Sequence, residues 1–131
     1  MKLEKIDHIC IAVKDVKKAE EAYARAFDLE AIDHYVEENE KIKVARFMIG
    51  DVAFEVMEAT SPDSEVAKFI EKNGEGVFLI SFKVPDVVAG LAELEQKGFP
   101  LIDHKPRRWR NSNFAFMHPK GFAGTLIELI D

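Results

Sequence analysis

His8-Ile9-Cys10-Ile11-Ala12-Val13-Lys14-Asp15-Val16 reads as a strand that runs directly into a helix, and Leu79-Ile80-Ser81-Phe82-Lys83-Val84-Pro85-Asp86-Val87 repeats it in the second half. In each copy large apolar residues alternate with smaller ones, the period of a strand with two unlike faces. An aspartate then stands at each helix N-cap position, Asp15 and Asp86. Behind the caps Val16, Ala19, Ala22, Tyr23, Ala26 and Phe27 fall on one helical stripe, as do Val87, Leu91 and Leu94 before Gly98. After each helix the tripeptide Ile-Asp-His returns, at 32–34 and 102–104. Each half closes on an apolar segment around one carboxylate, Phe54-Glu55-Val56 and Ile127-Glu128-Leu129. A pattern met twice points to two copies of one supersecondary unit.

Outward from these copies, strand-like segments occupy about 31–36, 43–49 and 52–58 in the first half and about 101–104, 113–118 and 125–130 in the second. Gly50-Asp51 and residues 119–124 supply turns. Between the halves, Ser61-Pro62-Asp63-Ser64 opens a short helix carrying Val66, Phe69 and Ile70, which stops at Asn73-Gly74. The expected fold is α+β: a single domain over 1–131, with module one at about 1–60, a linker helix at about 61–75 and module two at about 76–131. Its two tandem βαβββ modules would form a curved mixed-sheet trough, with the helices on the outer face.

The chain has 131 residues, 47% of them hydrophobic and 32% charged, a globular balance without a disordered tail. Its formal charge of −6 speaks against a general nucleic-acid partner, which needs a basic face to neutralise phosphates. The lone Cys10 excludes an internal disulfide and fits a reducing compartment. No leader-like segment or apolar run of membrane-spanning length is present, so the expected location is the cytoplasm, with no membrane partner.

Alternation assigns the residues of the trough. His8, Cys10 and Ala12 belong to one strand, Ala53, Glu55 and Met57 to a second, Leu79 and Ser81 to a third, and Leu126, Glu128 and Ile130 to a fourth. One imidazole and two carboxylates on an apolar floor need compensation. A divalent cation such as cobalt, manganese, nickel or zinc would supply it, since one neutral His and two anionic Glu balance a 2+ charge. A buried ion pair between His8 and one glutamate, with no metal, is the other reading. Cys10 is read as a small core filler or a soft extra ligand.

The chain resembles the vicinal oxygen chelate superfamily, which includes glyoxalases, extradiol dioxygenases and bleomycin resistance proteins; within it the methylmalonyl-CoA epimerases are the nearest match. The resemblance rests on Ile6-Asp7-His8-Ile9-Cys10-Ile11-Ala12-Val13, on Ser61-Pro62-Asp63-Ser64 with Ala67-Lys68-Phe69 and Gly74-Glu75-Gly76, and on Phe116-Met117-His118-Pro119-Lys120 with Leu126-Ile127-Glu128-Leu129. It implies a glyoxalase-like fold and a metal held by four side chains at equivalent positions. His8, Glu55 and Glu128 match three of these. At the fourth, where epimerases carry a histidine, stands Leu79, which cannot bind a metal.

The resemblance further implies an isomerase that removes the proton α to a thioester carbonyl, with the metal as Lewis acid and a base on each side of the carbon. Glu128 would be one base; the other falls within Glu37-Glu38-Asn39-Glu40, and Glu40 is our choice. The basic segment Lys105-Pro106-Arg107-Arg108-Trp109-Arg110 would meet coenzyme A phosphates through Arg107, Arg108 and Arg110 together with Lys120, or else be a solvated loop. Leu79 and Ser81 would face a short-chain acyl-CoA substrate, and a homodimer is implied. His118 reads as a turn former, and His34 and His104 as surface residues. Two alternatives stay open: a metal-free small-molecule-binding protein on the same scaffold, and a glyoxalase-type lyase. An extradiol dioxygenase is disfavoured, because its iron site needs two histidines and only one faces the trough.

Overall fold

Strands with one branched face need a helix to cover it, and in the computed structural model, which describes residues 1–131, the helices lie where the repeat puts them. The chain runs β1 (Lys5–Ala12), α1 (Val16–Phe27), β2 (Asp33–Glu37), β3 (Ile42–Ile49), β4 (Val52–Ala59), α2 (Glu65–Asn73), β5 (Gly76–Lys83), α3 (Val87–Gln96), β6 (Arg107–Trp109), β7 (Ser112–Met117) and β8 (Ile127–Ile130). Eight strands hydrogen-bond in the order β2-β3-β4-β1-β5-β8-β7-β6, a mixed sheet that with three helices makes the expected α+β fold. Contacts gather into two compact units, one of Ile9–Phe78 and one of Met1–His8 with Leu79–Asp131. No helix is long and apolar enough to cross a membrane.

In the unit Ile9–Phe78, Asp15 caps α1 by accepting from Lys18 N, and Glu58 takes the N–H of Val16 at 2.8 Å. Val16, Ala19 and Tyr23 pack on Val13, Ala45, Val56, Ile11 and Phe54. Phe54 and Val56 therefore face the helix, and Ala53, Glu55 and Met57 face away from it. The predicted helical stripe is wider than this contact. Ala22, Ala26 and Phe27 are exposed, because the sheet meets only the line through Val16, Ala19 and Tyr23; Phe27 stacks on Tyr23 at the helix end.

The second unit repeats the plan. Asp86 caps α3, and Asp131 takes the N–H of Val87 as Glu58 does for Val16. Val84, Val87, Leu91 and Leu94 pack against Ala115, Met117, Ile127 and Leu129. Gly90 allows this approach, since a Cβ there would stand 3.1 Å from Leu129 Cδ1. With Ile127 and Leu129 against the helix, Glu128 projects from the opposite face.

Two predicted strands differ. At 101–104 only Leu101 makes a bridge, to Met117. Ile102 N and Asp103 N both donate to the Phe116 carbonyl, and the Asp103 carboxylate accepts from Phe116 N and Arg107 Nε; this folds the segment inward and starts the strand later, at β6. Arg107–Trp109 of the basic stretch therefore form an edge strand, paired with β7 as Arg107↔Phe114, Arg108↔Asn113 and Trp109↔Ser112, while Lys105, Arg108 and Arg110 stay exposed. The last strand begins at Ile127 and not at 125, after a turn in which Ala123 and Gly124 have φ of 55° and 79°.

Candidate active site

β5 and β8 run parallel with Ser81 opposite Glu128, so two polar side chains meet on the face turned away from α3. Ser81 Oγ donates to Glu128 Oε1 at 2.6 Å. His8 Nε2 lies 3.1 Å from the same oxygen, and His8 Nδ1 lies 2.8 Å from Asp7 Oδ2. His8, Ser81 and Glu128 are 7%, 0% and 6% exposed, so these three form a buried polar row, with the half-buried Asp7 at its outer end. Leu79, two residues before Ser81 on β5, shares that face and is buried as well.

Glu55, in the other unit, occupies the repeat-equivalent position and is more tightly held. Its Oε2 accepts from Tyr35 Oη and Arg46 Nη1, each at 2.9 Å, and Cys10 Sγ donates to Oε1 at 3.3 Å. The β3–β4 register sets Arg46 directly opposite Glu55. Burial, with the Glu55 carboxylate beside it, pushes the Tyr35 phenol far above its ordinary range, so it remains a donor. No buried side-chain nitrogen or oxygen lacks a partner.

The remaining expected residues lie outside these two clusters. Glu40 is half-buried in the turn between β2 and β3. Arg107 is tied to Asp103 and lies 4.9 Å over the Phe116 ring. Arg108 reaches Asn113 Oδ1, and Arg110, at the hairpin tip with φ 52°, covers the Trp109 ring at 4.3 Å. Lys120 is exposed on the turn Pro119–Gly121, which His118 Nδ1 caps as expected. His34 pairs with Glu20 and His104 with Glu95 at the surface.

Sequence reasoning missed Asp7, Tyr35 and Arg46. A hairpin turning on Gly50-Asp51 places Arg46 across from Glu55, so that pair was within reach of register arithmetic. Asp7 adjoins the candidate imidazole within one more Ile-Asp-His tripeptide, 6–8. Tyr35 gave no such signal, because its contact with Glu55 spans β2 to β4.

The profile of the Glyoxalase/Bleomycin resistance protein/Dioxygenase superfamily matches residues 7–116. The chain belongs to this superfamily. It is 34% identical over 130 residues to the Bacillus subtilis uncharacterized protein YqjC, covering 98% of this chain and 93% of that one. It is 27% identical over 128 residues to an ethylmalonyl-CoA/methylmalonyl-CoA epimerase of Cereibacter sphaeroides, covering 95% and 96%. Among solved structures, a Streptomyces coelicolor methylmalonyl-CoA epimerase in complex with 2-nitronate-propionyl-CoA superposes with a TM-score of 0.94 at 35% identity, covering 98% of this chain and 94% of that one. The likeness to epimerases expected from the motifs is thus present over nearly the whole chain.

The donor chemistry suits a divalent cation. His8, Cys10 and Glu55 are buried donors, as is Glu128. Two donors bound to one cation at roughly 2.1 Å stand about 3.0–3.4 Å apart for angles of about 90–109°. His8 Nε2 and Glu128 Oε1, at 3.1 Å, fall in that span.

Proposed function

We propose that this superfamily member is an epimerase-like isomerase acting at the carbon α to the carbonyl of a short-chain acyl-CoA thioester. The observation that carries the reading is the buried His8–Glu128 pair braced by Ser81, in a chain whose relatives over nearly its full length include epimerases. In this reading Glu128 takes the α-proton from one face in one direction of the reaction and delivers a proton to that face in the other. Ser81 fixes the carboxylate in place, and Glu40 serves the opposite side of the carbon. Leu79 and the walls around Glu128 exclude water from the transfer. Arg108, Arg110 and Lys120, all exposed, meet the coenzyme A phosphates, while Arg107 anchors the hairpin through Asp103.

His8, Glu55 and Glu128 would hold the cation, with Leu79 closing the fourth position. A cation bound there supplies Lewis acidity toward the thioester oxygen. The lone Cys10 keeps the cytoplasm as the proposed location. Incubation with methylmalonyl-CoA, cobalt and deuterated water tests the reading: deuterium should enter the α-position, and exchange no faster than the blank would refute it. A second reading, a metal-free protein binding a small acidic molecule, is favoured by Leu79 and by the partner already present at every buried polar atom. It expects binding of methylmalonyl-CoA or a related acid without exchange.

A further inference from the structure

We infer that Asp7 is a positioning residue that decides which nitrogen His8 presents to the site. A neutral imidazole carries one ring hydrogen, and His8 has a carboxylate at each nitrogen. The two acceptors are not equivalent. Asp7 Oδ2 stands 2.8 Å from Nδ1. Glu128 Oε1 stands farther off, at 3.1 Å from Nε2, and already accepts the Ser81 hydroxyl at 2.6 Å. The hydrogen therefore belongs on Nδ1, donated to Asp7.

The consequence falls at Nε2. Its lone pair then faces a carboxylate oxygen 3.1 Å away, a milder repulsion than the 2.8 Å contact relieved at Asp7 and one that a cation between the two atoms would remove. Asp7 thus keeps a cation-seeking pair open, in the manner of carboxylates that orient metal-binding histidines. This role rests on the proposed function only where a metal is concerned; the position of the hydrogen does not depend on it.

Nitrogen-15 NMR of chelator-stripped protein, recorded above the imidazole titration range, separates the two questions. His8 is identified among the four histidines as the signal lost in His8→Gln. The unsubstituted protein and Asp7→Asn, whose amide oxygen still accepts, should carry the hydrogen on Nδ1. Asp7→Ala should move it to Nε2, toward Glu128. Cobalt affinity should fall 10–100-fold in Asp7→Ala and by less than about threefold in Asp7→Asn. A hydrogen on Nε2 in the unsubstituted protein overturns the inference, as does an unchanged tautomer in Asp7→Ala. Should cobalt fail to bind the unsubstituted protein, the metal in the proposed function falls, while the nitrogen signals still decide the role of Asp7.

Discussion

Replacing Arg46 by Met should destabilise the fold more than replacing its partner Glu55 by Gln, because the two changes strand groups of unequal burial. Met keeps most of the apolar stem of Arg46 and removes only the guanidinium. The carboxylate left behind is 2% exposed, so water cannot replace the lost charge. Stranding a buried charge costs about 3–5 kcal/mol. Tyr35 Oη and Cys10 Sγ still donate to Glu55, which brings the expectation down to about 2–3 kcal/mol. Glu55→Gln instead keeps an amide oxygen for Tyr35 and strands Arg46, whose side chain is 23% exposed and can turn its head to solvent; about 1 kcal/mol or less is expected. Urea unfolding reads both. With a slope of about 1.5 kcal/mol per molar, the midpoint should fall by about 1.3–2 M for Arg46→Met and by about 0.7 M or less for Glu55→Gln. In the Glu55→Gln background, Arg46→Met should cost less than half of what it costs alone, since the stranded charge is gone. Equal costs in the two backgrounds, or a larger cost for Glu55→Gln, would refute the assignment of Arg46 as the counter-charge.

Three further outcomes follow from the same geometry. Leu79→His restores a donor beside Ser81 and should tighten cobalt binding by roughly 10–100-fold in calorimetric titration; unchanged affinity would show that position 79 does not face the donors. Arg108→Glu with Arg110→Glu should weaken coenzyme A binding at low salt and much less at high salt, and a loss independent of salt would return the hairpin to a structural role. Asp131 is held below the usual carboxylate range: burial opposes this, but the N–H groups of Asn113 and Val87 outweigh it. A lowered folded value stabilises above the unfolded value of about 3.9 and is lost as pH falls through the folded one, so the stability gap over Asp131→Asn should be widest at neutral pH and close below about pH 4.

The fold was legible because it is written twice. The strand-to-helix pattern at 8–16 recurs at 79–87, and each copy fixes its own alternation, so the positions of Glu55, Ser81 and Glu128 followed from counting. What failed was local. The strand expected at 101–104 gave way to β6 because the Asp103 carboxylate, a side chain without periodicity, gathers Phe116 N and Arg107 and delays the pairing. The breadth of the α1 stripe was misjudged because periodicity gives the face of a helix and not the width of the sheet beneath it. Partners of the candidate donors were the least visible. Asp7 and Arg46 needed tautomer and register reasoning, and Tyr35 needed tertiary structure.

Those partners divide the labour between two carboxylates that the repeat makes equivalent. Glu55 has one oxygen shared by a guanidinium, which never releases its proton at working pH, and by a phenol that burial keeps protonated. Any proton or ligand exchange at that oxygen must first break an ion pair, which suits Glu55 to an anchoring part in the proposed reading. Glu128 has a serine hydroxyl and an imidazole instead, neither of which carries an obligatory charge. A proton taken up by Glu128 leaves Ser81 a partner and finds His8 beside it to share the change. Repeat symmetry gave both glutamates the same place in the fold; the residues opposite them, Arg46 in one half and Ser81 in the other, give Glu55 a permanent counter-charge and Glu128 a neutral hydroxyl, which is why the proposed reading assigns the part of the base to Glu128.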